Sequence, residues 1–245
     1  MREEPDSPAA ASGTGRRRGR PRHQAATREG IATAALEVAR SHGYERLTMA
    51  AVARRLGVAP SALYNHVTGK ADLLALLQDE VMGEVEVDGL RAAVAGEVPV
   101  REAVRDWAHS YRRVFAGHTP LIPMIATLPI AGAEQTQRMY DAVAAALGTA
   151  GVAETEVLPR IIALESFIYG SAFDVHAPAH LFEVAAAPGE LPAFQAAAAA
   201  CRRDIGIGID GSHATDEGPA VGTLGVNPYA DDPFETGLEL LLAGL

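Results

Sequence analysis

The feature that most constrains this chain lies between Thr27 and Val81, where apolar residues recur three and four apart in short runs broken by glycine. Ile31, Ala35 and Val38 fall on one helical face, and Gly43 ends that run. Thr48 is placed to cap a second helix, on which Met49, Val52 and Leu56 share a side. Gly57 then permits a sharp turn, and a short helix is expected from about Pro60 to Val67. Thr68 is the expected cap of a fourth helix, with Leu74, Leu77 and Val81 in a stripe. No run alternates with the period of two that a strand requires. The expected fold class is therefore all-α.

Past Val81 the pattern weakens from Gly83 to Pro99, then resumes in helices near 100–117, 132–148, 154–176, 192–204 and 232–243. Residues 205–231 hold six glycines with Pro219 and Pro228, and read as a long mobile loop. Residues 1–24 are polar and arginine-rich with no apolar period, and read as a disordered arm. Apolar residues make up 48% of the chain, enough for a packed body, and the 5% aromatic content with abundant alanine favours helix. The organisation is then an arm (1–24), a compact helical head (25–72) and a larger helical bundle (73–245).

Charge divides along the same lines. The net charge of −10 hides eleven Lys/Arg against four Asp/Glu over residues 16–75, and nine against twenty-four over 76–245. A basic head on an acidic body suits a protein in which one module meets a polyanion. The single cysteine, Cys201, excludes an internal disulfide framework and a cysteine zinc cluster, and reads as an inert thiol. His109, His118, His176, His180 and His213 lack zinc-ligand spacing. The N-terminus has no apolar signal core, and the longest uncharged stretch, Thr119–Ala133, is broken by Pro120, Pro123 and Pro129. The expectation is a cytoplasmic protein with no membrane association.

Three short helices in about 40 residues, with a glycine turn between the second and third, form a helix-turn-helix arrangement. Its third helix would present side chains to the DNA major groove, where base pairs are distinguishable. Spacing alone leaves an ordinary helical hairpin equally open. The residues narrow the choice: Leu47-Thr48-Met49-Ala50-Ala51-Val52-Ala53-Arg54-Arg55-Leu56-Gly57-Val58-Ala59-Pro60-Ser61-Ala62-Leu63-Tyr64-Asn65-His66-Val67, then Gly69-Lys70-Ala71-Asp72-Leu73-Leu74, closely resembles the DNA-binding domain of the TetR family. That resemblance, strong over about residues 27–82, implies DNA contacts from Thr48 and Ala50 at the start of the second helix. It implies further contacts from Pro60, Ser61, Ala62, Tyr64 and His66 on the recognition helix, and a phosphate contact from Lys70. By helical phase Leu63 and Val67 belong to the core. Ahead of this head, Arg16-Arg17-Arg18-Gly19-Arg20-Pro21-Arg22 resembles an AT-hook core for the minor groove, and equally fits a solvated basic arm on phosphates.

The resemblance continues more weakly into the body, whose segment 231–245 looks like the last helix of the tetracycline-repressor type of C-terminal domain. This implies a homodimer through the helices near 154–176 and 232–243. Phe234, Leu238 and Leu241 form a stripe on that last helix, open either to a partner or to its own subunit. Where tetracycline repressors chelate magnesium with the drug, this chain carries Met124 with Thr127 and Pro129, and Ser166 with Asp174. One carboxylate is a poor set for magnesium, so a metal-tetracycline effector is not expected. No cofactor is expected.

The candidate residues for a small-molecule pocket are Tyr111, Phe115, Met124, Thr127, Tyr140, Ser166, Phe167 and Tyr169, each also plausible as plain core. Glu165 stands in an otherwise apolar helix, where a charge needs a partner or solvent. No Gly-x-Ser-x-Gly, Walker, dinucleotide or His-Glu-x-x-His motif occurs, so an enzyme is not expected. The function implied is a ligand-responsive regulator, a repressor released from a palindromic operator by a small molecule. The alternatives are an architectural A·T-rich DNA binder led by the arm and, last, an enzyme built on the bundle.

Overall fold

The computed structural model describes residues 26–125, 128–178, 190–204 and 227–245, and they are helical with no strand among them. Helix α1 (Arg28–His42) begins where the Thr27 hydroxyl accepts the Gly30 N–H at 3.0 Å, and stops at Gly43, whose φ of 81° breaks the helical path. Helix α2 (Met49–Leu56) is capped in the same way, with Thr48 accepting from Ala51 at 3.1 Å. Gly57, at φ 70°, takes the left-handed turn that sends the chain into α3 (Pro60–Leu63). Pro60 sits in the first turn of α3, where no intrahelical N–H is needed.

Two local expectations are corrected here. The short helix ends at Leu63, and Tyr64–His66 continue as turns in which the His66 and Val67 N–H groups share the Leu63 carbonyl. The cap of α4 (Lys70–Met82) is Gly69, with no side-chain acceptor. Thr68 instead donates its N–H and hydroxyl to the Asp72 carboxylate at 2.9 and 3.2 Å. The acid on the third helical residue reaches back to the entering chain, as in half of a capping box.

The stretch from Gly83 to Pro99, weak in pattern, contains α5 (Asp88–Val94), which buries Leu90 and Ala93. It is too short to show a period, and holds by packing on α6 (Val100–Ala116) and α8 (Glu134–Thr149). Between α6 and α8 run a 3-10 turn (Thr119–Leu121) and the one-turn α7 (Ile122–Ile125). Helix α9 (Glu154–Asp174) lies against α6 and α8, and α10 (Pro192–Asp204) follows. Of the long loop expected over 205–231, residues up to 226 lie outside those described. Asn227 binds its N–H to the Val175 carbonyl and its side-chain amide to the Asp174 carbonyl, which ties the end of α9 to α11 (Asp231–Leu241).

One apolar core runs from Ile31 and Leu63 in the head through Leu77 and Val81 of α4 to Trp107, Tyr111 and Phe115 of α6. Helix α4 packs along α1 and also touches α8, so head and body share it. Helix α11 docks on its own subunit through Phe234, Leu238 and Leu242, all buried, while Leu241 faces outward. The stripe therefore follows the i, i+4 rows rather than including Leu241. Docking is close: a Cβ at Gly237 would lie 2.5 Å from the Phe167 ring. Phe167 in turn stacks parallel on Phe234, centroids 5.5 Å apart. From α6, Arg112 lies 4.6 Å over the Phe234 ring and binds Asp231 and the Ala230 carbonyl, while Arg101 and Arg105 hold Glu239.

Candidate functional site

Two sites rise from this framework, one on the head and one inside the body. On the head, Leu63 and Val67 are buried and fix the reading turn, which leaves Tyr64 56% exposed with Pro60 and Ser61 beside it. Ala62 and His66 are half-buried, and Thr48, Ala50 and Lys70 are exposed on the flanking helix starts. Arg28 donates to the His66 carbonyl at 2.6 Å, which anchors the end of the turn to α1. Sequence reasoning missed this anchor because the partners are 38 residues apart. A groove of about 610 Å³ runs beside Thr48 and Ala51, lined by His42, Arg46, Arg54 and Arg55. Arg55 is paired there with Glu37 at 2.6 Å. The arm residues Arg16, Arg17, Arg18, Arg20 and Arg22 lie outside the described residues.

Inside the body, α6, α8 and α9 bring together Tyr111, Phe115, Tyr140 and Tyr169, four of the eight pocket candidates. They gather around Glu165, which is only 7% exposed. Its two carboxylate oxygens each accept one phenol, Tyr111 at 2.8 Å and Tyr140 at 2.6 Å. The Tyr111 and Tyr169 hydroxyls are also in contact. The rings of Tyr111, Phe115 and Tyr169 meet edge-on or tilted, with centroids 5.1–5.4 Å apart. Burial disfavours the ionised form of every member. It pushes the phenols of Tyr111, Tyr140 and Tyr169 upward, and raises the Glu165 carboxyl despite the two phenol bonds that favour its charge.

The other pocket candidates do not join them. Ser166, one residue on from Glu165, is exposed on the outer face of α9 with Ile162 and Phe173. Phe167 belongs to the α11 contact, Met124 is half-buried on α7, and Thr127 lies outside the described residues. Asp174, at the end of α9, is exposed. Among the described residues, no three His, Cys, Asp or Glu side chains group as a metal site.

A third contact joins head and body. Tyr44, in the 3-10 turn Tyr44–Arg46 between α1 and α2, places its hydroxyl 2.5 Å from Nδ1 of His118, just past the end of α6. Burial lowers the His118 pKa and raises that of Tyr44, so a neutral imidazole accepts from a protonated phenol. Beside it Arg40 grips both carboxylate oxygens of Glu84, at 2.6 and 2.7 Å. His118 follows Tyr111 by seven residues, two past the last residue of α6, so α6 and its end carry both the buried cluster and the contact to the head.

Comparison with known proteins matches the head and the body separately. The family model for bacterial regulatory proteins of the tetR family matches residues 31–77, and that for the tetracyclin repressor-like C-terminal domain matches 96–204. An HTH-type transcriptional regulator of Saccharopolyspora erythraea is 32% identical over 145 residues, 59% of each chain. The HTH-type transcriptional repressor DrrR1 of Streptomyces coeruleorubidus is 29% identical over 159 residues, 65% of this chain and 57% of that one. The match thus spans less than two thirds of either curated relative. The fold is also that of ActR, a TetR family protein of Streptomyces coelicolor solved in complex with (S)-DNPA. ActR has a TM-score of 0.61 and 21% identity, with 90% of this chain and 96% of that one covered. The head that the first model matches and the bundle that the second matches place this chain in the TetR family of bacterial transcriptional regulators.

Proposed function

We propose that the protein is a ligand-responsive repressor, released from a palindromic operator when a small molecule enters the body. The observation that carries this reading is that α6 and the residues just past its end carry both the Tyr111–Glu165 cluster and the His118–Tyr44 contact with the head. A shift of that helix on ligand binding would move the head. DNA and effector then oppose each other, since each favours a different placement of the head. Tyr64 and Ser61 supply hydrogen-bond donors for base edges, Pro60 and Ala62 supply apolar contact, and Lys70 and Thr48 face phosphates. The arginine arm adds salt-sensitive affinity, either on phosphates or in the minor groove.

A palindrome needs two heads, about 34–36 Å apart. The surface that fits a second copy is the outer face of α9, where Leu158, Ile162 and Phe173 are exposed, together with Leu240 and Leu241 of α11. The proposed setting is the cytoplasm, where operator DNA lies, and no described helix is long and apolar enough to cross a membrane. The effector of this reading is not a metal chelate: a thioether, an outward serine and one exposed carboxylate make a poor magnesium set.

The test is a genomic binding map followed by footprinting of the purified protein at the strongest site. Discrete two-fold protection, lost when a compound from a broad screen binds, is expected. Diffuse A·T-rich coverage would assign the chain an architectural role, and operator affinity unmoved by any compound would remove the sensing step.

A further inference from the structure

We propose that the effector is a lipophilic organic cation, an amine carried on an aromatic body, whose charge is taken up by Glu165 within the ring of Tyr111, Phe115, Tyr140 and Tyr169. The inference rests on the reading of the body as a sensor and adds the chemical class it senses. Its starting point is a missing counter-ion. Glu165 is buried and, among the described residues, no Arg, Lys or His nitrogen lies within 4.0 Å of it. Its hydrogen-bond donors are neutral phenols from α6 and α8. A buried carboxylate without a cation is costly, and two neutral hydrogen bonds offset only part of that cost.

The cations of α6 point elsewhere. Arg101 and Arg105 hold Glu239, and Arg112 holds Asp231, all on the side of α11. The same helix turns Tyr111 toward Glu165. The acid is thus left with phenols while the arginines of α6 are drawn to carboxylates of α11. Each carboxylate oxygen has two lone pairs and receives one phenol, so each keeps an acceptor position for an ammonium hydrogen.

The surroundings suit the rest of such a molecule. Tyr111, Phe115 and Tyr169 form a mutually packed ring cluster, and aromatic faces attract a cation as well as an aromatic body. Tyr140 and Tyr169 are half-buried while Tyr111 and Phe115 are fully buried, so the cluster meets the surface along α8 and α9. The acidic excess over residues 76–245 draws cations toward the body and repels anions. An anionic effector would place like charges together in a low dielectric, and a neutral one would leave the carboxylate as it stands.

Three fluorescent probes that differ at one terminus test this on the full-length protein: dansylcadaverine, its N-acetyl derivative and dansyl-6-aminohexanoic acid. Titrated against the wild type, the amine is expected to bind about tenfold tighter than the neutral probe, as fits a charge-assisted hydrogen bond. The acid is expected to bind weakest. Glu165→Gln keeps an acceptor for a tyrosine and removes the charge. It should abolish the preference for the amine and hold the neutral probe within about twofold. Tyr140→Phe, which leaves the carboxylate one donor short, should widen the preference. An acid or neutral probe that binds as well as the amine overturns the inference, as does a Glu165→Gln protein that still prefers the amine, or an amine that does not bind. If the acid or neutral probe binds and releases the operator, the sensor reading survives and only the cationic class falls.

Discussion

At the scale of single residues, Glu165 makes the sharpest prediction. Burial holds its folded carboxyl above the ordinary 4.5, so its favourable contribution is complete below that value and is lost as pH rises through the folded pKa. Glu165→Gln does not titrate. Its melting temperature should therefore gain on the wild type as pH rises from about 4.5 through the folded pKa, by about 2–4 °C for each 1 kcal/mol in a chain of this size. A difference that stays flat across that range would mean the acid is not desolvated. On the head, Tyr64→Ala should weaken operator binding by about tenfold without changing the melting temperature, because the ring is exposed and Leu63 holds the turn. Lys70→Ala should weaken binding to all duplexes alike and lower the salt slope by about one, measured by titration at several ionic strengths.

At the scale of elements, the approach of α11 to α9 depends on having no side chain at Gly237. Gly237→Ala drives a methyl into the Phe167 ring, which is itself stacked on Phe234, so neither ring moves freely. The expected loss is about 1–3 kcal/mol of stability. Adding Phe167→Leu should recover part of it, and strictly additive losses in the double variant would show that the two sites do not touch. Much of the element structure was legible locally. Thr27 with Gly43 and Thr48 with Gly57 bound α1 and α2 as their residue types demand, because capping is decided within four residues. Helix α5 was not legible, since seven residues show no period and its place is set by α6 and α8.

At the scale of the whole molecule, the His118–Tyr44 contact is the direct polar link between the end of α6 and the head. Tyr44→Phe removes one hydrogen bond, worth about 0.5–1.5 kcal/mol. In the absence of effector, operator affinity should stay within about threefold of wild type. The ratio of affinities without and with effector should shrink by about three- to tenfold. An unchanged ratio in an operator-release assay would place the coupling in α4 or in the Arg40–Glu84 pair.

The motif of the head could be recognised from the chain alone, because a capped helix, a left-handed glycine and a second short helix are neighbours in sequence and fix one another. The body kept its meaning until it folded. Tyr111 and Glu165 stand 54 positions apart, and nothing local marks them as partners. Glu165 and Ser166 are adjacent, yet the 100° step of a helix puts one inside and the other outside, and only the packing of α9 on α6 and α8 decides which. The stripe on α11 likewise announced a need for cover without naming the cover. Long-range packing supplied it, since burial is a property of the folded chain and periodicity only a property of one helix.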